Sequence, residues 1–168
     1  MHFSRRAHKV SIRPLRASDR SAVAEIVRGV GNFNGAEIEC ALEIVDTYLR
    51  DAKQKDYRVV VAENSGCAVK AYVCWGPTPL TRGTYDLYWI ATHPAAQGLG
   101  FGRALVAHVE ADVQNENGRV LVVETSSRES YGNTVRFYRS LGYEETSRIR
   151  DFYDVGDDRL IFVKRFSP

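Results

Sequence analysis

Apolar positions along the chain recur with two spacings. Phe101, Leu105, Val109 and Val113 repeat at i, i+4, i+8 and i+12, which predicts an amphipathic helix stopped by Asn117-Gly118. Ile38, Leu42, Val45 and Leu49 form a second stripe of this kind. A shorter helix over Ala22–Val27 follows two capping residues, Ser18 and Asp19, and a fourth runs from Tyr131 to Leu141 and ends at Gly142. Other stretches read as strands. Val10, Ile12 and Leu15 alternate with Ser11 and Arg13, with Pro14 at an edge or end position. Tyr57–Ala62 and Ala68–Trp75 pair across the turn Glu63-Asn64-Ser65-Gly66, and Tyr85–Ala91 is apolar and aromatic. Val120-Leu121-Val122-Val123 is a continuous apolar run, the pattern of a strand buried on both faces. Ser147–Tyr153 and Leu160–Val163 form a closing hairpin around Val155-Gly156-Asp157-Asp158.

The resulting order is βααβββαβαββ. A right-handed strand–helix–strand crossover makes the strands on either side of the 101–113 helix parallel. The 168 residues suit one domain, 1–168, with the basic, polar segment 1–9 as a flexible tail. The apolar fraction of 44% is enough for a sizeable core, and a formal net charge of +2 argues against nucleic acid. Cys40, Cys67 and Cys74 cannot all pair, so buried free thiols in a reducing compartment are the simplest reading. Met1–Lys9 has no apolar core of a secretory signal, and no apolar run approaches membrane-spanning length. Histidines 2, 8, 93 and 108 form no metal-ligand pattern. A cytoplasmic protein with no metal and no membrane partner is expected.

The chemistry concentrates in Gln97-Gly98-Leu99-Gly100-Phe101-Gly102, between a strand and a helix start. Glycines let the backbone turn sharply and a ligand approach, and the first N–H groups of a helix suit a phosphate. A P-loop would need Gly-Lys-Ser/Thr, which is missing. A dinucleotide fingerprint would need a glycine or alanine where Arg103 or Leu105 stands. Glu124 falls where a ribose-binding acid would be, but Thr92–Ala96 separate the strand too widely from the glycines. The third pattern, Q/R-x-x-G-x-G/A, is met by Gln97, Gly100 and Gly102 and resembles the acyl-CoA-binding motif of the GCN5-related N-acetyltransferases (GNAT). Asn133 through Tyr143 is similar to a second segment of that family, N-x-x-x-x-F-Y-x-x-x-G-F/Y. The element order matches over nearly the whole chain.

The resemblance implies an α/β fold with a mixed central sheet splayed between the fourth and fifth strands and helices on both faces. It implies acetyl-CoA as donor, with the backbones of Ile90, Ala91 and Thr92 pairing with its pantetheine arm. The loop Gln97, Gly98, Leu99, Gly100, Phe101, Gly102 and Arg103 would receive the pyrophosphate. Tyr138 aligns with the tyrosine that reprotonates the leaving thiolate, and Asn133 with a residue that contacts pantetheine or caps the helix. Asp86, on the fourth strand, and Glu124, at the end of the fifth, are the candidate bases, with water as the third option. Partial burial is expected to raise the pKa of Asp86. The acceptor would lie against Gly31–Glu39 and Gly76–Gly83, where Glu37 and Glu39 could present negative charge. A small-molecule amine is the expected partner and a protein amine a lesser one; a homodimer is left open. A non-catalytic acyl-CoA-binding or sensing module would keep the glycine loop but need no Tyr138.

Overall fold

A computed structural model describes residues 10–51 and 53–166; the segment 1–9, read as a tail, lies outside the described residues. The strands are β1 (Ser11–Pro14), β2 (Arg58–Glu63), β3 (Val69–Pro77), β4 (Thr84–Thr92), β5 (Val120–Ser126), β6 (Glu144–Asp154) and β7 (Asp157–Arg165). The helices are α1 (Arg20–Gly29), α2 (Gly35–Arg50), α3 (Phe101–Asn115) and α4 (Gly132–Ser140). The strands form one mixed sheet in the order β1-β2-β3-β4-β5-β7-β6, with β4 and β5 parallel as the crossover rule predicts. β7 inserts between β5 and β6 and runs antiparallel to both. The chain packs as two compact units. One takes the described residues up to 51 with 59–73 and 90–106; the other takes 53–58, 74–89 and the described residues from 107 onward.

In the first unit α1 buries Val23, Ala24, Ile26 and Val27, and α2 buries Ala41, Leu42 and Val45. The stripe expected for α2 is rotated, so Ile38 and Leu49 are only half-buried. Asn34 caps α2 through a reciprocal box: its Oδ1 accepts from the Glu37 amide at 2.9 Å, and the Glu37 carboxylate accepts from the Asn34 amide at 2.7 Å. The expected cap of α1 differs. Asp19 makes no side-chain cap for that helix; it accepts from the Arg16 amide at 2.8 Å, closing a 3-10 turn at Ala17–Asp19. Its carboxylate takes the Arg13 guanidinium at 2.6 and 3.0 Å, and Arg13 also donates to Glu63. Arg13 beside Asp19 holds that carboxyl below its ordinary range.

In the second unit Arg58 donates to Asp112 at 2.5 Å and to Glu116 at 2.7 Å. The Trp75 indole also donates to Asp112, and the Tyr85 hydroxyl to Glu116. These bonds fasten the C-terminal half of α3 to the sheet. Past the end of α3 the left-handed residue is Asn117 (φ +58°), while Gly118 donates its amide to Val113 O at 2.8 Å. β5 departs from its expected burial: Leu121 and Val123 are buried, Val120 and Val122 only partly. The chain's doubly buried strands are instead β2, buried from Val59 onward, and β3, buried from Ala71 to Gly76. The cysteines correct a second expectation, since only Cys74 is buried; Cys40 and Cys67 are exposed, on α2 and in a turn. β6 is an edge strand of eleven residues, exposed at all positions but Glu145, with Asp151 in the left-handed region at φ +50°.

Gly118 has no room for a side chain, because a Cβ would meet Val113 Cγ1 at 2.3 Å and Val113 O at 2.7 Å. Gly118→Ala is therefore expected to cost about 3 kcal/mol of stability, the upper part of the overpacking range, measured by urea denaturation. A loss under about 0.5 kcal/mol would show that the helix end relaxes freely.

Candidate functional site

The ladder between β4 and β5 is short. It pairs Thr84 with Val120, Tyr85 with Leu121, Asp86 with Val122 and Leu87 with Val123, and there it ends. Both strands continue, β4 through Thr92 and β5 through Ser126. Backbone groups beyond Leu87 on β4 and Val123 on β5 are thus released from the ladder. Tyr88 and Trp89, the first residues past its end, are half-buried.

Asp86 stands at this point. By two-residue alternation Asp86, Val122 and Glu124 fall on one face of the sheet. Asp86 is half-buried and accepts from the Thr78 hydroxyl at 2.6 Å, so the connection between β3 and β4 holds it. Burial, first, raises its pKa; the Thr78 bond lowers it, the Glu124 charge raises it, and the Arg159 charge lowers it. The rise expected from partial burial is found. Tyr88 is pushed up to about 12, chiefly by burial and then by the Asp86 charge. Glu124 differs: it is exposed, and its carboxylate is bonded by the Arg159 guanidinium from β7. Arg159 also lies over the Phe152 ring at 4.8 Å. The structure therefore brings the two candidate bases into one electrostatic group and gives only Glu124 a bonded cation.

Tyr138, on α4, is buried between Phe137, Tyr143 and Phe162, with ring centroids 5.2, 5.3 and 6.4 Å away. Burial pushes its phenol well above the ordinary range, so it is protonated at neutral pH. Asn133 is not a cap: it sits in the first turn of α4, exposed, and its Oδ1 accepts from Arg136. The N-cap position is held by Tyr131 instead.

The glycine loop belongs to the first unit. A 3-10 turn at Pro94–Ala96 leads into it, with His93 Nδ1 accepting from the Ala95 amide at 3.2 Å. Gly98 (φ +74°) and Gly100 (φ +92°) hold left-handed conformations, and a Cβ on either would meet nothing within 4 Å. The pattern thus serves conformation and leaves open space above the loop. Gly100 O accepts the first α3 bond, from Ala104, so the amides of Phe101, Gly102 and Arg103 have no partner within the helix. Phe101 is buried and anchors the loop; Gln97, Leu99 and Arg103 are exposed, and Gln97 Nε2 reaches Thr92 O at 3.5 Å. Ile90, Ala91 and Thr92 close β4, with only Ala91 buried.

The regions read for the acceptor have other duties as well. Glu37 is taken by the α2 cap. Glu39 lines a cavity of about 660 Å³ with Arg20, Leu42 and Glu43, which contains none of the donor or base residues. Sequence reasoning missed Thr78 and Arg159. A threonine in a polar loop and an arginine in an alternating strand carry no signal until the register places them. Among the described residues no group of three or more His, Cys, Asp or Glu could hold a metal ion, and no helix is long and apolar enough to cross a membrane.

Residues 55–145 match the family model for the acetyltransferase (GNAT) domain. A GNAT-family protein of Desulfovibrio desulfuricans is 39% identical, with a TM-score of 0.88 over 94% of this chain and 99% of that one. The ribosomal-protein-S18-alanine N-acetyltransferase of Escherichia coli shares the fold at 21% identity, with a TM-score of 0.75 over 95% and 96% of the two chains. So does yncA of Salmonella typhimurium, solved with its cofactor acetyl-CoA, at 20% identity and a TM-score of 0.73 over 95% of both chains. Among curated proteins, none matches the chain.

A raised Asp86 pKa has a stability signature. Below the unfolded-state value both states hold the proton and nothing is lost; above the raised folded value the native state carries a half-buried charge and is penalised. Asp86→Asn is expected to raise Tm at pH 8, with the gain shrinking toward zero as the pH falls below the ordinary aspartate range. Calorimetry across that range checks it; a loss at pH 8 would mean that the ionised carboxylate stabilises the fold.

Proposed function

Because the chain belongs to the GNAT acetyltransferase family, we propose that it moves the acetyl group of acetyl-CoA to a primary amine of a small molecule, by direct attack in a ternary complex. The observation that carries this reading is the end of the β4–β5 ladder at Leu87 and Val123, with a half-buried carboxylate beside it. Backbone released from a ladder suits an extended, amide-bearing arm that adds itself as a strand. The open space over Gly98 and Gly100 and the free amides at the start of α3 suit a pyrophosphate.

Acetyl-CoA, when bound, supplies a thioester carbonyl activated for attack by an amine. The chain's residues then have five tasks. The amides of Gly98 and of Phe101 through Arg103 hold the pyrophosphate, the Leu99 amide being bonded to Ala96 O at 3.3 Å, and the backbones of Ile90, Ala91 and Thr92 pair with the pantetheine. Asn133, exposed near the start of α4, is a further contact for that arm. Asp86 takes the proton of an amine whose ordinary pKa is near 10.4, directly or through a water, and its raised proton affinity suits the task. A backbone N–H of β4 past Leu87 donates to the carbonyl oxygen as it gains charge. Tyr138 gives its proton to the departing thiolate. The new C–N bond replaces the C–S bond; an acceptor arriving as an ammonium loses one proton to Asp86 before attack and a second as the amide forms, and the thiolate gains one from Tyr138, so the products are an amide, a thiol and one released proton. Glu124, bonded to Arg159, ranks behind Asp86 as base. A reducing, cytoplasmic setting fits the free thiols of Cys40, Cys67 and Cys74.

Two experiments test this reading. Acetyl-CoA at a hundred times its dissociation constant is expected to stabilise the fold by about 2.7 kcal/mol. That is an upward shift in Tm of about 5–10 °C for a chain of this size. Gly100→Val, strained at φ +92°, is expected to remove the shift while leaving the chain folded. No shift with acetyl-CoA or CoA overturns the donor assignment, and a shift without turnover against a panel of amines favours a binding module. Tyr138→Phe keeps the ring and its packing and removes only the hydroxyl. It is expected to lower kcat about 100-fold, the low end for a general acid, because burial weakens the phenol as a donor. A kcat within threefold of wild type, with chemistry rate-limiting, assigns Tyr138 to the core alone.

A further inference from the structure

The Glu124–Arg159 pair lies in one electrostatic group with Asp86. β5 and β7 are antiparallel, with Glu124 opposite Ile161 and Ser126 opposite Arg159. Arg159 therefore reaches back along the ladder to bond Glu124, and its guanidinium is braced by the Phe152 ring of β6. The neighbouring cation, Arg148, is already spent on Glu145 and Asp158. Asp86 is faced by Thr78 from the β3–β4 connection, Glu124 from β5, Arg159 from β7 and Tyr88 on its own strand. Of these groups only Arg159 is positive, and it bonds Glu124 rather than Asp86.

We propose that Arg159 is a positioning residue: braced on Phe152 and bonded to Glu124, it fixes the Glu124 carboxylate on β5 and leaves Asp86 as the group that takes the acceptor's proton. The inference rests on the acetyl-transfer reading above and adds the device that separates two carboxylates of one group. Two like charges facing each other push a proton affinity up, as the Glu124 charge does for Asp86, and a cation beside them offsets part of that. The group of Asp86, Glu124 and Arg159 carries one net negative charge when ionised, which is complementary to an ammonium group arriving as acceptor.

The arrangement predicts shifts of opposite sign from two variants. Arg159→Gln removes the positive charge, so the Asp86 titration midpoint moves up. Glu124→Gln removes the like charge and frees Arg159, so the midpoint moves down. Arg159→Lys keeps the charge and returns the midpoint toward wild type. The midpoint is read by carbon NMR of labelled aspartate carboxyls in the ligand-free protein, with the Asp86 signal identified by its loss in Asp86→Asn. The acidic limb of kcat/KM against pH is expected to follow it in all three variants. Equal midpoints in Arg159→Gln and Glu124→Gln, or shifts of the same sign, overturn the proposal. So does a limb that stays fixed while the midpoint moves. Absence of acetyl transfer in the wild type tells instead against the functional reading, and the NMR titration still decides whether the pair controls Asp86. A variant that loses its fold is recognised by circular dichroism, and Arg159→Lys then carries the test.

Discussion

Four residue pairs join β4 to β5, and then the ladder stops although both strands go on. An interior sheet normally pairs its backbone throughout, because a buried N–H or C=O without a partner costs about as much as a lost hydrogen bond. Where a ladder ends early, the two strands must be held in place from elsewhere in the fold. The second unit shows where. Arg58, Trp75, Tyr85, Asp112 and Glu116 form a charged network that fastens α3 to the sheet, and β7 pairs with β5 over its whole length. β5 therefore keeps its place from its other side, and its edge past Val123 lies outside the ladder with β4.

The same trade appears in side-chain electrostatics. Asp86 is half-buried with a single hydroxyl to hold it, and the one cation in its group is bonded to Glu124. Selected for stability alone, the site would place Arg159 on Asp86 or replace Asp86 by a neutral residue. Arg13 shows the alternative within the same chain, where Asp19 and Glu63 share one guanidinium and the Asp19 proton affinity is driven down. One carboxylate is thus held ionised as part of the framework, and the other keeps a raised proton affinity. The contrast arises from where the arginines fall, since both acids are aspartates.

Much of this was legible in the residue pattern. The stripe Phe101, Leu105, Val109, Val113 fixed α3, and all four are buried. Gly98 and Gly100 needed their positive φ, which a spacing of glycines before a helix announces. What stayed hidden were relations between distant positions. Asp19 stands where a cap would, yet Arg13, six residues before it, draws it into an ion pair. Thr78 and Arg159 reach Asp86 and Glu124 from segments 8 and 35 residues away, and no local signal marks such a meeting. β5 read as doubly buried because hydrophobicity reports preference and not coverage, and one of its faces is only partly covered in the fold. Asn133 had the composition of a cap, but the helix starts one residue before it and its side chain turns to Arg136.

β6 carries a further consequence. An outermost strand of eleven residues with Ile149, Phe152, Tyr153 and the adjoining Val155 exposed is a template on which another chain could assemble, the first step toward insoluble aggregate. The left-handed Asp151 interrupts that template. Its amide donates to Asp158 and its carboxylate accepts from the Gly156 amide, so the kink is locked from within, and the register with β7 shifts across it. Arg148, Arg150 and Asp154 interleave charge along what remains. A kinked, charged border keeps the sheet finite, so the chain can leave one ladder open inside while closing the route by which its own copies would extend it.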